Sequence, residues 1–296
     1  MRVLLTGGSG QIGFELRRAF SVFAQVFAPG RQELDIGSAD SILASVRRHR
    51  PELIVNAAAY TAVDRAESEP ELAMRVNGDA PRILAEEAMK LRAGLIHYST
   101  DYVFDGLSDR PYLEDDTTAP LNVYGRTKLA GEVGVRQSGA AHLILRTSWV
   151  YAPRGHNFLL TILKLAKERK ELTIVNDQFG APTPARMVAE ATALALARIL
   201  PTGKMDVGAF TEAGGIYHLS AAGRASWFEF AREVLRDVPG AATVKAIPSS
   251  AYPTPARRPG NSMLDNSKIR QQLGLSLPDW KIGLAFSRDE LLTNGH

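Results

Sequence analysis

Val3-Leu4-Leu5-Thr6-Gly7-Gly8-Ser9-Gly10-Gln11-Ile12-Gly13 lies at the start of the chain, and its reading decides the fold. Three apolar residues make a short strand. Gly7, Gly10 and Gly13 then recur at intervals of three, and an amphipathic run continues to Phe20. A strand, a glycine-rich turn and a helix in this order make a phosphate-cradling unit. One glycine makes the bend, one lets the backbone approach a pyrophosphate, and one lets helix and strand pack closely. Free amides at the helix start then face the phosphates. Gly7, Gly10, Gln11, Ile12 and Gly13 are therefore expected to contact a dinucleotide.

The second expected strand, 25–28, runs into Pro29-Gly30-Arg31. An acid near this point bonds the ribose 2′-hydroxyl of NAD, whereas an arginine accepts the 2′-phosphate of NADP. Acids come only later, at Glu33 and Asp35, so Arg31 points to NADPH. NADH stays open if Arg31 is merely solvated. Asp35 and Ile36 are expected to flank the adenine. A helix over 40–50 stops at Pro51, and 53–56 is an unbroken apolar run of the kind found in buried parallel strands. Ala57-Ala58-Ala59 follows, small enough to admit a cofactor ring or ribose, with Tyr60 and Thr61 as polar contacts in the same loop.

A helical region over 63–92 is expected to break at Pro70 and Pro81, with Asn77 as a polar anchor. Residues 95–98 form the next strand. It ends at Ser99-Thr100-Asp101, and open α/β sheets bind ligands at the carboxyl ends of their strands. His97 falls inside the strand and reads as structural rather than catalytic. Tyr124-Gly125-Arg126-Thr127-Lys128 comes next. On a helix, Tyr124 and Lys128 share a face. A nearby ammonium would lower the phenol pKa, and the pair could give a proton to a carbonyl oxygen as a hydride reaches its carbon. The strand-end hydroxyl of Thr100 would orient that oxygen. Tyr124, Lys128 and Thr100 are thus the expected catalytic set, and Lys128 would also bond the nicotinamide ribose.

Beyond a strand over 142–146, Trp149 is either packed lid material or a wall for a sugar ring. Helices are expected over 157–169, 186–200, 227–238, 266–273 and 281–292, and strands over 172–175 and 216–219. The proline-rich stretch 248–259 reads as a loop whose Arg257-Arg258 pair could hold a diphosphate. The expected architecture is α/β. A Rossmann-like, doubly wound parallel sheet fills residues 1–150, with later segments returning to it. A smaller α/β lobe over 151–296 serves the substrate.

Composition fits this reading. Hydrophobic residues at 45% and charged residues at 23% describe a soluble globular chain. No apolar run is long enough to span a bilayer. Met1 leads directly into a strand, which predicts no cleavable leader. With no cysteine, disulfides, thiolate metal sites and a cysteine nucleophile are excluded. A cytoplasmic location follows. Net charge of +3 suits an anionic small molecule, and the absence of a Lys/Arg block argues against nucleic acid.

The glycine turn together with Tyr124–Lys128 resembles the extended short-chain dehydrogenase/reductase superfamily. The runs Asn56–Asp64, His97–Gly106, Arg146–Tyr151, Asn176–Thr183 and Arg258–Ser262 narrow the resemblance to the dTDP-4-dehydrorhamnose reductase family, over almost the whole chain. The resemblance implies that a hydride from NAD(P)H reaches C4 of dTDP-4-dehydro-L-rhamnose, the last step of dTDP-L-rhamnose synthesis. It implies that Tyr124 protonates the alkoxide, that Thr100 orients the C4 oxygen, and that Asp101 and Trp149 line the sugar pocket. Reductases of this kind are often described with Mg²⁺ bridging a homodimer, and Glu190, Asp289 and Glu290 could supply its ligands. Gly30 departs from the acid often found at its position. Two rivals remain. A nucleotide-sugar dehydratase or epimerase is one, but a dehydratase needs further carboxylates after Thr100, where Tyr102 follows Asp101. A reductase-like regulatory subunit, such as the one that binds methionine adenosyltransferase, is the other.

Overall fold

The computed structural model describes residues 1–293. Six parallel strands form the main sheet in the order Gln25–Phe27, Arg2–Thr6, Leu53–Asn56, Gly94–Thr100, His142–Thr147 and Gly215–His218. The order reverses at Arg2–Thr6, which has the second strand on one side and the third on the other. A crevice therefore opens at the carboxyl ends of Arg2–Thr6 and Leu53–Asn56, where the glycine turn begins. Alternate residues of each strand face opposite sides. Val3 and Leu5 enter a core with Leu16 and Phe20 of the first helix, Gln11–Phe20, and with Val188 and Leu196 of Ala185–Ile199. Leu4, Ile54 and Leu95 enter the opposite core with Ile42, Leu84 and Val135, from Ala39–His49, Ala80–Leu91 and Val123–Gln137.

Local chemistry sets the boundaries. In the glycine turn Gly7 takes φ 70°, and a Cβ on Gly13 would lie 2.0 Å from the Gly7 carbonyl oxygen. Arg50 takes a left-handed φ of 41° and caps the helix Ala39–His49, its N–H donating to Val46 O, one residue before Pro51. Asn122 caps Val123–Gln137 by accepting from Gly125 N at 2.8 Å. Pro70 does start a new short helix, Pro70–Met74. Pro81 does not break the region. It lies in the first turn of Ala80–Leu91, where its missing N–H is not needed. The irregularity falls just upstream, in a π-turn over Arg75–Asp79.

The later segments build a second core from Leu159, Ile162, Leu172, Phe230 and Trp280. A parallel pair, Glu171–Val175 with Thr243–Ile247, lies beside it. The second of these strands is not visible in the sequence, because Thr-Val-Lys-Ala-Ile is short and largely exposed. The chain does return to the main sheet. Ala185–Ile199 packs on the first helix, and Gly215–His218 supplies an edge strand. Among the described residues no helix is long and apolar enough to cross a membrane.

One ion pair is buried between sheet and helix. Arg146 reaches Glu132 bidentately at 2.9 and 2.7 Å, and the two residues are 2% and 0% exposed. Arg146→Met would strand the Glu132 carboxylate without a partner, and we expect it to cost about 3–5 kcal/mol. Urea unfolding measures this. A change within about 0.5 kcal/mol, the range of ordinary surface substitutions, would mean that Glu132 is not held as a buried charge.

Candidate active site

The crevice has a nucleotide side and a reaction side. On the nucleotide side, a Cβ on Gly7 would meet Ala58 N at 2.6 Å, so the glycine turn and the Ala57–Ala59 loop lie against each other. Gln11 leaves the turn toward the second lobe. Its Nε2 donates to Val150 O at 3.4 Å and its Oε1 accepts from Asn157 Nδ2 at 2.9 Å. The Arg154 guanidinium lies 3.4 Å from the centre of the Phe14 ring, on the helix next to the turn. Arg154 was not anticipated, because nothing in Ala-Pro-Arg-Gly-His marks it. Arg31 and Asp35 are both exposed beyond the second strand, and Ile36 is half-buried. Glu33 folds back so that its carboxylate accepts from Gly30 N at 3.1 Å, and Asp35 accepts from Gly37 N at 2.9 Å. Tyr60 turns its hydroxyl away to Glu69, at 2.6 Å. Its backbone is fixed by Asn77, which accepts from Tyr60 N at 2.8 Å and donates to Thr127 Oγ1 at 3.1 Å. The expected polar anchor Asn77 thus ties this loop to the Tyr124 helix. Thr61 is exposed.

On the reaction side, Thr100 ends its strand and Tyr124 begins its helix. The Tyr124 side chain bonds Thr100, and the Thr100 hydroxyl donates to Asp101 Oδ1 at 2.9 Å. Ser148 donates to the other carboxylate oxygen at 3.0 Å, and the Ser262 hydroxyl, which donates to Phe179 O at 3.1 Å, lies nearby. Asp101 is 2% exposed, and its burial pushes the carboxyl up to about 6. Loss of hydration pushes the Tyr124 phenol up to about 12, and the bond to Thr100 only partly offsets this. The phenol is therefore a firmly held proton at neutral pH.

Here the structure departs from expectation. The Lys128 ammonium does not act on the phenol. It donates to Tyr98 O at 2.6 Å and lies 3.4 Å from His97 Nε2, inside the sheet. Burial pulls Lys128 down to about 8, with Glu132 opposing.

The other candidate residues are placed as follows. Trp149 has φ 47°, left-handed backbone that costs a non-glycine residue on the order of 1–3 kcal/mol. Its ring stacks on Trp227 at 3.5 Å and 5°. Arg258 points its fork at Asp64, at 2.8 and 3.0 Å, and so pins the proline-rich loop to the helix Val63–Ala66. Arg257 is exposed, and its carbonyl accepts from Asn122 Nδ2 at 2.8 Å. Glu190, Asp289 and Glu290 are not gathered. Glu190 and Asp289 are exposed, and Glu290 is paired with Arg186 at 2.9 Å. No group of three or more His, Cys, Asp or Glu residues able to hold a metal is found among the described residues. A groove of about 430 Å³ along Arg126, Leu129 and Val133 lies on a face of the helix that carries neither Tyr124 nor Lys128.

A glycine turn at the switch point of a parallel sheet, with Tyr-x-x-x-Lys beside a strand-end hydroxyl, defines a nucleotide-dependent oxidoreductase of the short-chain dehydrogenase/reductase type. The family model for the RmlD substrate binding domain matches residues 1–292. The chain is 47% identical, over 99% of its length and 100% of the relative's, to a dTDP-4-dehydrorhamnose reductase of Burkholderia thailandensis. Solved dTDP-4-dehydrorhamnose reductases are similar throughout. That of Clostridium acetobutylicum has a TM-score of 0.90 at 32% identity, covering 99% of this chain and 100% of that one. That of Bacillus anthracis, solved in complex with NADP, has a TM-score of 0.88 at 33% identity, covering 98% and 99%. The chain belongs to the dTDP-4-dehydrorhamnose reductase family.

The Asp64–Arg258 tie carries a pH prediction. The Arg258 bonds hold the Asp64 carboxyl below its ordinary value of 3.8. The tie is therefore at full strength at neutral pH and weakens as pH falls below about 4. Hydrogen exchange in the 248–259 loop should rise over that range, and Asp64→Asn should raise it at neutral pH as well. Exchange in this loop that ignores both would show that the pair does not hold it.

Proposed function

We propose that the protein reduces the C4 ketone of dTDP-4-dehydro-L-rhamnose to dTDP-L-rhamnose with NADPH, in the cytoplasm. The observation that carries this reading is the chain from Tyr124 through Thr100 to Asp101, at the sheet end beside the glycine turn. The residues of the turn suit a dinucleotide. A Cβ on Gly7 or Gly13 would fill the space against neighbouring backbone, and a Cβ on Gly10 would sit 3.2 Å from Gly7 O. Bound NADPH supplies the hydride. Gly7, Gly10, Gln11, Ile12 and Gly13 hold its pyrophosphate, Arg31 takes the 2′-phosphate, Asp35 and Ile36 flank the adenine, and Ala57–Thr61 receive the nicotinamide half. Lys128 bonds the ribose. Residues 1–150, with the returning segments, make the dinucleotide domain. The sugar-nucleotide lobe is 151–296, of which 294–296 lie outside the described residues.

The chemistry at this chain's own residues is proton transfer. Tyr124 keeps its proton until negative charge grows on the C4 oxygen, then donates it there. The Thr100 hydroxyl donates to Asp101 and accepts from Tyr102 N at 3.2 Å, which leaves one lone pair to hold the phenol hydrogen in line. Trp149, braced by Trp227, forms a wall of the sugar pocket, and Arg258 lies at its rim. Asp101 lines the pocket by setting the direction of the Thr100 hydroxyl. Since Arg186 already engages Glu290, a Mg²⁺ ion at Glu190, Asp289 and Glu290 would need carboxylates from a second copy, so the metal and the homodimer belong to one proposal. The dehydratase rival is disfavoured by Asp101, whose oxygens are already bonded, and by Tyr102, which stands where a second carboxylate would be needed.

The purified chain should oxidise NADPH in the presence of dTDP-4-dehydro-L-rhamnose, and NADH less well. No turnover with cofactor bound would favour another keto-sugar or the regulatory role. Tyr124→Phe should bind NADPH normally and lose at least ~10²-fold in kcat, the usual scale for a general acid; near wild-type turnover would sink the assignment. Arg31→Asp should shift preference toward NADH, and an unchanged ratio of kcat/KM values would free Arg31 of the 2′-phosphate.

A further inference from the structure

Three adjacent strands each place a polar residue on the face beneath the helix Val123–Gln137. Thr6 pairs in register with Asn56, and Asn56 pairs with His97. Their side chains join in a line. Thr6 Oγ1 is 2.6 Å from Asn56 Oδ1, Asn56 Nδ2 is 3.1 Å from His97 Nδ1, and His97 Nε2 is 3.4 Å from Lys128 Nζ. Their exposures are 1%, 0%, 0% and 2%. The positions just before them on the same face, Leu4, Ile54 and Leu95, are core residues. Three polar groups set into such a sheet cost stability unless each is bonded. Here each is bonded, and the line ends on the lysine.

The hydrogens decide what the line does. With the amide as placed, Asn56 Nδ2 donates to His97 Nδ1, so a neutral imidazole carries its proton on Nε2, facing Lys128. An ammonium has no lone pair to accept it. With the amide turned, Asn56 donates to Thr6 Oγ1, His97 Nδ1–H donates to Asn56 Oδ1, and Nε2 is bare. Lys128 then has two acceptors, Tyr98 O and His97 Nε2. The turned arrangement is the one compatible with a charged lysine, and the other is compatible with a neutral amine.

We infer that His97, oriented by Asn56 and Thr6, is a positioning residue whose bare Nε2 accepts from the Lys128 ammonium and fixes it at the base of the site. Burial, then the charge of Lys128, hold the imidazole well below its ordinary value, so it stays a neutral acceptor. The other charged group acting on Lys128 is Glu132 on its own helix, and Glu132 is shared with Arg146 on the neighbouring strand. The importance of this clamp for turnover rests on the role of Lys128 proposed above; the hydrogen arrangement itself does not.

Nitrogen-15 NMR of the full-length wild-type protein, with His97 assigned by comparison with His97→Gln, tests the arrangement directly. At pH 7 the His97 proton should be on Nδ1, and it should move to Nε2 as the pH passes about 8, where Lys128 loses its charge. A proton on Nε2 at pH 7 overturns the inference, whether or not the protein turns over a sugar. In kinetics, His97→Leu should move the alkaline limb of kcat/KM down by about one pH unit or more, the size of one hydrogen bond to a charged group. His97→Gln, which keeps an acceptor, should restore it. A limb unmoved in a folded His97→Leu protein also overturns the inference. An inactive wild type with the expected tautomer would instead refute the proposed reaction and leave the clamp standing.

Discussion

A parallel sheet covered by helices on both faces leaves little room for polar groups except toward the carboxyl ends of its strands. That constraint organises this molecule. Val3 to Leu5, Leu53 to Val55, Leu95 and Ile96, and Leu143 to Leu145 are 0–1% exposed. The residues that end these strands are polar: Thr6, Asn56, Thr100 and Thr147. Thr6, Asn56 and Thr100 carry their side chains into hydrogen bonds at that end of the sheet. The helices complete the arrangement from above. Asn122 sets where the Tyr124 helix begins, and Asn77, held in a π-turn, joins that helix to the Tyr60 loop.

The division of labour among the ionisable groups is also a burial effect. Phenol, carboxylate and amine are all desolvated here, and desolvation always disfavours the charged form. Tyr124 is thus held as a donor, Asp101 is kept from ionising as readily as usual, and Lys128 is drawn toward neutrality. The outcome differs from a lysine that simply acidifies a tyrosine. The two side chains share a helix face, but the lysine is long enough to reach past it to the sheet.

The fold was readable because its signals are local. Glycines at fixed spacing, unbroken apolar runs and a Pro-terminated helix each fix a backbone conformation without help from distant residues. Tyr124, Lys128 and Thr100 could be paired because strand end and helix face follow from periodicity. What escaped depends on tertiary partners. The strand Thr243–Ile247 exists only because Glu171–Val175 lies beside it. The engagement of Arg258 by Asp64 joins residues far apart in the chain, so a loop arginine that looked free for a diphosphate is already held. Nothing local to Glu190, Asp289 and Glu290 shows that Arg186 bridges Glu290 and Glu15. His97 read as an interior residue, which it is, but periodicity cannot show that its ring ends on a catalytic candidate.

The packing around Tyr102 bears on how such a site could change its chemistry. This phenol meets Tyr124 edge to face at 5.7 Å, and it feels the charges of Asp101, Arg258 and Asp64. A glutamate at position 102 would bring a third carboxylate into a space where Asp101 is buried and Asp64 is already matched to Arg258. Mutual repulsion would keep at least one of them protonated, supplying the kind of acid that a water-eliminating enzyme requires. The phenol at position 102 therefore keeps the end of the sheet from carrying more buried negative charge than Arg258 can match.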